Sequence, residues 1–425
     1  MSAHSLPSES RAGVTLIVAS ALVLVVASVT LTATHGLDTA SVAIAFGAFI
    51  AVGELISINL PGYRVAAPLA VAGALGYALL ESFPDEPVTY GVTQVVAVVA
   101  VGTVVGAIPN LTLGRQPQLD VLARRLLTVA FAAALFRPLY NSGALDSLSG
   151  SWRLPALMLV IVALAGAADV VLGAVVRSSQ RRSPFLPTLR DEGRAYVGIG
   201  AAIGATGVLI ALAAAVMGYW ALPVFAIPLL IAQFSFRRYA AIRATYSQTI
   251  HALSRVTEFG GYTERGHARR VNALALSVGR EMGLSESELV DLEYAALMHD
   301  IGQLSLTDPI PGGATVMVSS GEQRLIAEYG AQVIRQTGVL DRVADIVEKQ
   351  AEPFRVPGQP LDASVPVASR IIRAVNAYDD LVGDAFDIER QLAALEELRL
   401  VSGEAYDPKV VEVLSRIVER NSRLG

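Results

Sequence analysis

Residues 293–310 read EYAALMHDIGQLSLTDPI, and this stretch decides the fold of the C-terminal half of the chain. An apolar run with helical character ends at the adjacent pair His299-Asp300 and is broken further on by Pro309. Imidazole and carboxylate groups are ligands with which proteins hold first-row divalent metal ions. One His-Asp pair is a weak signal, so the surrounding sequence has to show whether other ligands reach the same point.

The composition departs from that of a soluble domain mainly in the first half of the chain. Of the 425 residues, 53% are hydrophobic and only 17% are charged, against about a quarter charged in a typical soluble domain. Residues 1–236 contain 12 arginines, 11 acidic residues and no lysine, whereas residues 237–425 contain 21 basic and 27 acidic residues. The resulting net charge of −6 in the second half argues against a DNA-binding domain, which needs a basic face. The absence of cysteine excludes disulfides and thiolate metal sites.

Residues 1–236 are predicted to form a membrane domain. About 20 apolar residues are needed to cross a bilayer, and eight stretches approach that length: 13–34, 39–58, 64–81, 88–108, 124–142, 153–176, 195–217 and 219–236. The opening MSAHSLPSES lacks the pattern of a cleavable signal, so the first stretch is expected to be retained.

The distribution of arginines predicts the orientation. With the N-terminus in the cytoplasm, only Arg137 and Arg153 fall in outside loops. The ten arginines of the inside segments are Arg11, Arg64, Arg115, Arg124, Arg125, Arg177, Arg181, Arg182, Arg190 and Arg194. This is the positive-inside pattern. It predicts a multi-pass protein of the cell membrane with both termini in the cytoplasm and the lipid bilayer as a partner.

Two acidic residues, Glu54 and Asp169, fall inside predicted spans. Intramembrane carboxylates are costly, so they are candidates for a functional role. The alternative is that each lies near the cytoplasmic end of its helix and pairs with an arginine or reaches water. A transporter would be expected to have interrupted helices and several such groups near the midplane, and the sequence favours a sensor or an anchor instead.

Residues 237–260 are predicted to form a linker helix between the two domains. Apolar or nearly apolar side chains recur every three or four positions, at Tyr239, Ile242, Tyr246, Thr249, Leu253 and Val256. Such a stripe can pair with a copy of itself, which predicts a possible homodimer through residues 237–258. The alternative is a helix packed on its own domain.

Residues 261–425 are predicted to be all-α. Apolar periodicity indicates a helix over 263–282, and Ser285 with Glu288 forms a capping-box pattern that opens a second helix ending near Asp300. Two antiparallel helices joined by the turn at 283–284 bring His267 close to His299 and Asp300, although 32 residues separate the two histidines. Further helices are predicted at 322–336, 339–351, 366–382, 387–400 and 408–421.

The second half resembles the HD superfamily of metal-dependent phosphohydrolases and, more closely, its HD-GYP branch. The matching segments are TERGHARRV with His267, AALMHDIG, RIIRAVNAYDDL and ALEELRLVSGEAYDPKVVEVL. The resemblance covers about 248–421 and implies an all-α domain that uses bound metal ions to hydrolyse phosphodiesters. The substrates it implies are nucleotides, often the cyclic dinucleotides of bacterial signalling.

Several positions depart from the pattern of the HD-GYP branch. Gln303 stands where the family has Lys, Ile326 where it has His, and Gln350-Ala351-Glu352 where it has His-His-Glu. The Gly-Tyr-Pro element falls on 358–360 as Gly-Gln-Pro, and Asn376 replaces a metal-binding Asp while Asp379 is retained. The ligand set that remains is His267, His299, Asp300 and Asn376, with His299 and Asp300 as the catalytic pair. This set implies one divalent ion, Mn, Fe or Mg, and identifies no substrate-binding residue.

The sequence thus predicts a membrane-bound, HD-GYP-like signalling protein in which catalysis is weakened or lost. The first alternative is an active single-metal phosphodiesterase, and the second is a transporter with a regulatory HD domain.

Overall fold

The structure is a computed structural model that describes residues 8–60, 64–84, 86–112, 118–181, 183–310, 313–384 and 387–422. The chain divides into two compact units, Met1–Ala241 and Ile242–Gly425. Arg115 and Arg182, which contribute to the predicted orientation, lie outside the described residues.

The first unit is helical. Two short antiparallel hairpins interrupt it, β1 (Ile58–Leu60) with β2 (Arg64–Ala66) and β3 (Ser82–Phe83) with β4 (Glu86–Pro87). Its helices are α1 (Ser8–His35), α2 (Ala40–Leu55), α3 (Pro68–Leu79), α4 (Val92–Thr112), α5 (Leu119–Asn141), α6 (Arg153–Arg181), α7 (Phe185–Ala195), α8 (Ala201–Met217) and α9 (Ala221–Phe259). A π-helical turn, Tyr196–Gly200, joins α7 to α8.

Four helical stretches among the described residues are long and apolar enough to cross a membrane: Gly13–His35, Val92–Leu111, Arg153–Gln180 and the stretch within Phe185–Phe259. Each of the eight predicted spans overlaps a helix, but α2 and α3 have only 16 and 12 residues. The all-α class and the presence of membrane-length helices are therefore confirmed, while the count of eight and the orientation stay predictions.

The sequence placed Arg137 in an outside loop, but Arg137 lies in α5 and is fully buried. Its side chain caps the C-terminal end of α3. Its guanidinium donates hydrogen bonds to the carbonyls of Ala78 (2.8 Å), Tyr77 (3.1 Å) and Leu80. The last carbonyls of a helix have no partner within the helix, and leaving them unpaired in an apolar interior is costly. A buried cation at this position lets α3 end after 12 residues inside the apolar core.

The second unit contains the end of α9 and seven further helices: α10 (His267–Glu281), α11 (Glu286–Met298), α12 (Ser320–Arg335), α13 (Asp341–Lys349), α14 (Val367–Val382), α15 (Ile388–Leu400) and α16 (Pro408–Ser422). They correspond to the helices predicted from the sequence. Fully buried side chains from all seven of these helices form one core, among them Val271, Leu292, Ala331, Val347, Ile371, Leu395 and Leu414.

The predicted linker helix is part of α9, which continues without interruption from Ala221 to Phe259. In the second unit, α9 buries Ile250, Ser254 and Thr257. The stripe expected at a dimer interface lies on other faces and is exposed, as at Tyr246 and Leu253. The homodimer and the domain limits 1–236, 237–260 and 261–425 stay predictions.

We expect Arg137→Met to lower the free energy of unfolding of the full chain by about 2–4 kcal/mol, because buried carbonyls would lose a charged donor. Thermal or chemical unfolding in detergent measures this loss. Arg153→Met is the matched control, since Arg153 is exposed at the start of α6. An equal loss in both variants would contradict the capping role of Arg137.

Candidate metal centre

Three segments of the second unit deliver the candidate ligands. His267 is the first residue of α10, His299 and Asp300 directly follow α11, and Asn376 lies in the middle of α14. The capping box predicted at Ser285 is present, with Ser285 and Glu288 exchanging hydrogen bonds at the start of α11. The short turn before it sends α11 back along α10, so His267 and the 299–300 pair meet as predicted.

The turn after Asp300 is pressed against α12 at a glycine. A Cβ added to Gly302 would lie 1.9 Å from the carbonyl oxygen of Ile326 and 2.8 Å from the nitrogen of Gly330. Only a residue without a side chain permits this approach. Gly302 therefore fixes the distance between the His-Asp pair and the face of α12.

The side chains of the predicted ligands converge on one buried point. Nε2 of His267 lies 3.3 Å from Nε2 of His299. Oδ2 of Asp300 is 3.2 Å from the first of these nitrogens and 3.1 Å from the second. Oδ1 of Asn376 is 2.9 Å from Nε2 of His299. All four residues expected from the sequence are therefore brought together.

In each imidazole, the nitrogen that points away from the centre, Nδ1, forms a hydrogen bond with an acceptor. Nδ1 of His267 donates to Oδ2 of Asp379 at 2.8 Å, and Nδ1 of His299 donates to the carbonyl of Ala296 at 2.9 Å. Carboxylate and carbonyl oxygens only accept, so the hydrogen of each ring lies on Nδ1 and the lone pair of each Nε2 faces the centre. This arrangement of an outer acceptor behind a ligating histidine is typical of protein metal sites.

The amide of Asn376 is oriented in the same way. Its Nδ2 donates to Oγ1 of Thr315 at 2.9 Å and to Oδ2 of Asp380 at 3.4 Å. Because the carboxylate of Asp380 can only accept, the amide nitrogen must face it, and the amide oxygen is directed at the centre.

The donor set fits a divalent cation. Two ligand atoms about 2.1 Å from one ion, at tetrahedral or octahedral angles, lie about 3.0–3.4 Å apart. The separations of 3.1, 3.2 and 3.3 Å among His267, His299 and Asp300 match that range. In addition, Oδ2 of Asp300 is buried and has no hydrogen-bond donor. A buried carboxylate oxygen facing two imidazole lone pairs requires a cation between them.

The pKa values of the clustered groups are shifted by burial and by the charges of their neighbours. Burial by itself would lower the pKa of His267, but the carboxylates of Asp300 and Asp379 beside its two ring nitrogens raise it to about 10. Burial would raise the pKa of Asp300, yet the neighbouring His299 and His267 hold it well below its usual range. Burial also raises the pKa of Asp380 to about 6, against the opposing effect of His267. The cluster therefore favours bound positive charge, whether protons or a metal ion.

The sequence left the roles of Asp379 and Asp380 unassigned. Asp379 accepts from His267 and also receives Nε and an Nη of Arg270, each at 2.9 Å. Asp380 orients Asn376 and accepts the backbone N–H of Val316 at 3.2 Å. Their spacing of three and four residues from Asn376 on α14 places all three on one helix face, and this spacing was the available signal.

An open cavity of about 510 Å³ adjoins the centre. It is lined by His299, Asp300 and Asn376 together with Ile326, Gln350 and Ala351, the positions where the resembling family has histidines. Gln350 donates to the carbonyl of His299 at 2.8 Å. Gln303 is fully buried and instead directs its amide to the carbonyl of Gly313, at 3.3 Å.

Arg373 is a cavity residue that the sequence reasoning missed. Its guanidinium donates to the carbonyls of Ala405 (3.0 Å), Ala351 (2.7 Å) and Gln350 (3.4 Å). Burial lowers its pKa from the usual value. Within the part of the chain that the structure describes, no carboxylate forms an ion pair with it, and its guanidinium lies 5.7 Å from the ring centroid of Tyr406.

The two carboxylates that the sequence placed inside predicted spans lie in the first unit, and both pair with arginines of α5. Glu54 forms an ion pair with Arg125 at 2.9 Å, and Asp169 forms one with Arg124 at 2.9 Å. This is the pairing considered as the alternative to a functional role, and their function stays a prediction.

Comparison with known proteins places the site in a family context. Residues 254–410 match the family model of the HD domain. A cyclic di-GMP phosphodiesterase of Thermotoga maritima is 24% identical over 183 residues, 40% of this chain and 49% of that protein. A cyclic di-GMP phosphodiesterase response regulator of Xanthomonas campestris is 25% identical over 185 residues, 40% of this chain and 47% of the relative.

A 3′3′-cGAMP-specific phosphodiesterase of Vibrio cholerae is 23% identical over 186 residues, 41% of this chain and 35% of the relative. The chain thus spans less than half the length of each of these curated relatives.

We expect the full chain to bind Mn²⁺ in detergent, His299→Ala to abolish the binding, and Asp379→Asn to weaken it about 10- to 100-fold. The asparagine would replace the charged acceptor that orients His267 and supports its basicity with a neutral amide. Calorimetry gives the affinities. Asp345→Asn, at an exposed carboxylate of α13, is the control and should bind as the unaltered chain does. Unchanged Mn²⁺ binding in His299→Ala would contradict the site.

Proposed function

We propose, from the premise that residues 254–410 form an HD domain, that this chain is a membrane-bound signalling protein. Its HD domain holds one divalent metal ion and binds the phosphodiester of a nucleotide, with hydrolysis weakened or lost. The substrates named for its relatives, cyclic di-GMP and 3′3′-cGAMP, support cyclic dinucleotides as the ligand class.

One observation carries the proposal: a cluster of imidazole and carboxylate groups that fits one ion lies beside a cavity wall that adds no further imidazole or carboxylate for a second. His267, His299, Asp300 and Asn376 surround one point, whereas Ile326 and Ala351 offer no coordinating atom. The chain has 5 histidines and His299 is the last of them. The segments that contain Ile326 and Ala351 therefore offer no histidine that could take their place. In binuclear hydrolysis, two metal ions together bind the attacking and the leaving oxygen. The residues around this cavity provide ligands for only one of these two ions.

The residues of the cavity have distinct roles in this proposal. A bound divalent ion supplies a Lewis acid that polarises a phosphate oxygen and lowers the pKa of water. Asp300 and the two imidazoles hold that ion, and Asn376 contributes a neutral oxygen where a carboxylate would hold it more tightly. The buried Asp300 carboxylate also orients a water molecule on the cavity side.

Arg373 supplies the second positive charge of the cavity. A guanidinium offers donors in a planar fork that matches two phosphate oxygens. Its Nε and one Nη already donate to carbonyls, which fixes the direction of the remaining nitrogen. We infer that a phosphodiester binds between the metal site and Arg373, and the fixed cation favours binding over turnover because it activates no water.

An active single-metal phosphodiesterase is the second candidate. It is favoured by Oδ2 of Asp300, a buried carboxylate oxygen without a donor next to the cavity. A transporter with a regulatory HD domain has less support, because Glu54 and Asp169 are both neutralised by arginines.

We expect Asn376→Asp to raise Mn²⁺ affinity about 10-fold, because the restored carboxylate adds a negative charge to the ligand set. Hydrolysis of cyclic di-GMP by the same protein distinguishes the two candidates. A weakened enzyme gains activity, whereas a domain that only binds its ligand does not. Gln332→Glu, which adds the same charge at an exposed position of α12, is the control. Unchanged or lower Mn²⁺ affinity in Asn376→Asp would contradict its place in the ligand set.

We expect Arg373→Gln to weaken binding of cyclic di-GMP to the Mn²⁺-loaded chain about 10- to 100-fold, since a charge-assisted hydrogen bond would be lost. Mn²⁺ affinity should stay the same. Arg370→Gln is the matched control one turn earlier on α14, because Arg370 pairs with Asp407 and lies outside the cavity lining. Equal nucleotide affinities in the two variants would remove Arg373 from the proposed ligand site.

A further inference from the structure

The first unit contains a second large cavity, of about 980 Å³, between α2, α3, α4, α5, α6 and the π-helical turn with α8. The function proposed for the HD domain does not use it. Glu54 and Asp169, the two intramembrane carboxylates that the sequence singled out, both line this cavity. Two residues that are far apart in the chain are therefore part of the same wall.

The cavity has a polar part and an apolar part. The polar part consists of Glu54, Thr103, Arg125, Thr128 and Asp169. The apolar part is formed by small and branched side chains such as Ala70, Ala74, Val99, Val162 and Ile203. A cavity of this kind matches a molecule with an apolar body and one polar group.

Each carboxylate of the polar part is neutralised by an arginine: Glu54 by Arg125, which also lines the cavity, and Asp169 by Arg124, which lies outside the lining. Glu54 is 5% exposed and contacts Nη1 of Arg125 at 2.9 Å. Asp169 receives Nε and an Nη of Arg124 at 3.1 and 2.9 Å, and Oγ1 of Thr128 lies 3.5 Å from it. A ligand with a net charge would disturb a balanced set of ions in a low-dielectric setting, which is costly. An uncharged head that donates and accepts hydrogen bonds would not.

Glycines and a π-helical turn shape the wall opposite α3. A Cβ on Gly166 would lie 1.9 Å from the hydroxyl oxygen of Tyr196, so the tyrosine ring lies directly on α6. Tyr196 begins the π-helical turn, and its hydroxyl donates to the carbonyl of Val162 at 3.3 Å. Such turns are rare and occur often at functional sites. Tyr196, Gly166 and the last residue of the turn, Gly200, all line the cavity.

We propose that this cavity binds an uncharged amphiphile: a molecule with a long apolar chain and a hydroxyl-type head that lies against the Glu54–Arg125 and Asp169–Arg124 pairs. The apolar part of the cavity holds the long apolar tail of the ligand, and the hydroxyl groups and ion pairs of the polar part bind its head. This inference is independent of the function proposed for the HD domain.

Photolabelling of the full chain in lipid nanodiscs tests the proposal. The probe is a long-chain primary alcohol that carries a diazirine in its chain, and mass spectrometry maps the labelled residues. We expect saturable labelling on the cavity faces of α3 and α6, removed by excess unlabelled alcohol. A fatty acid and an alkylamine of the same length should compete at least 10-fold more weakly. Equal competition by all three, or labelling that does not saturate, would overturn the proposal in favour of bulk lipid in the cavity.

A matched pair of variants on α4 locates the site. Val99→Phe places a ring in the apolar part and should reduce saturable labelling at least 10-fold, whereas Val101→Phe should leave it unchanged, because Val101 is 53% exposed and lies outside the lining. Equal labelling of the two folded variants would also overturn the proposal. Should Val99→Phe fail to fold, the competition order in the unaltered chain still decides.

Discussion

The hydrogen bond between His267 and Asp379 is the interaction on which the second unit depends. At 2.8 Å it joins the first residue of α10 to the middle of α14, and Arg270 reinforces it by donating to both oxygens of the same carboxylate. It sets the tautomer of His267 and directs Nε2 to the point where His299 and Asp300 arrive from α11. The convergence of these three side chains is therefore a consequence of how the three helices are joined.

The chemistry that this centre permits follows from the number of cations it can hold. His267, His299 and Asp300 could hold one ion, while the adjoining wall is hydrocarbon at Ile326 and Ala351. The positive charge on that side comes from Arg373, a fixed guanidinium held by backbone carbonyls. A guanidinium binds phosphate through charge and hydrogen bonds, much as a metal ion binds it through coordination. Unlike a metal ion, it cannot coordinate a water molecule and lower the pKa of that water. Ligand binding and hydrolysis are therefore separable in this site.

The first unit compensates its buried charges with the same type of residue. Arginines of α5 neutralise Glu54 and Asp169, and Arg137 closes the end of α3. Each charge is buried only where a carboxylate or a set of carbonyls compensates it, as a low-dielectric interior requires. The cavity between the helices is lined by the Glu54–Arg125 pair and by Asp169 of the other pair, which gives an otherwise apolar space one polar end.

The place of Asn376 beside the site was implied only by the family resemblance. The sequence by itself determined the helical class, the contrast between the two halves, and the approach of His267 to His299 and Asp300. These features depend on local periodicity, on a capping box and on a short turn, all of which act over a few residues. The sequence did not determine that Arg137 is buried, that Arg373 faces the cavity, or that Glu54 and Asp169 share a wall. Those facts depend on packing between helices that are distant in the chain, where a side chain's partner is chosen by the tertiary structure and leaves no local pattern.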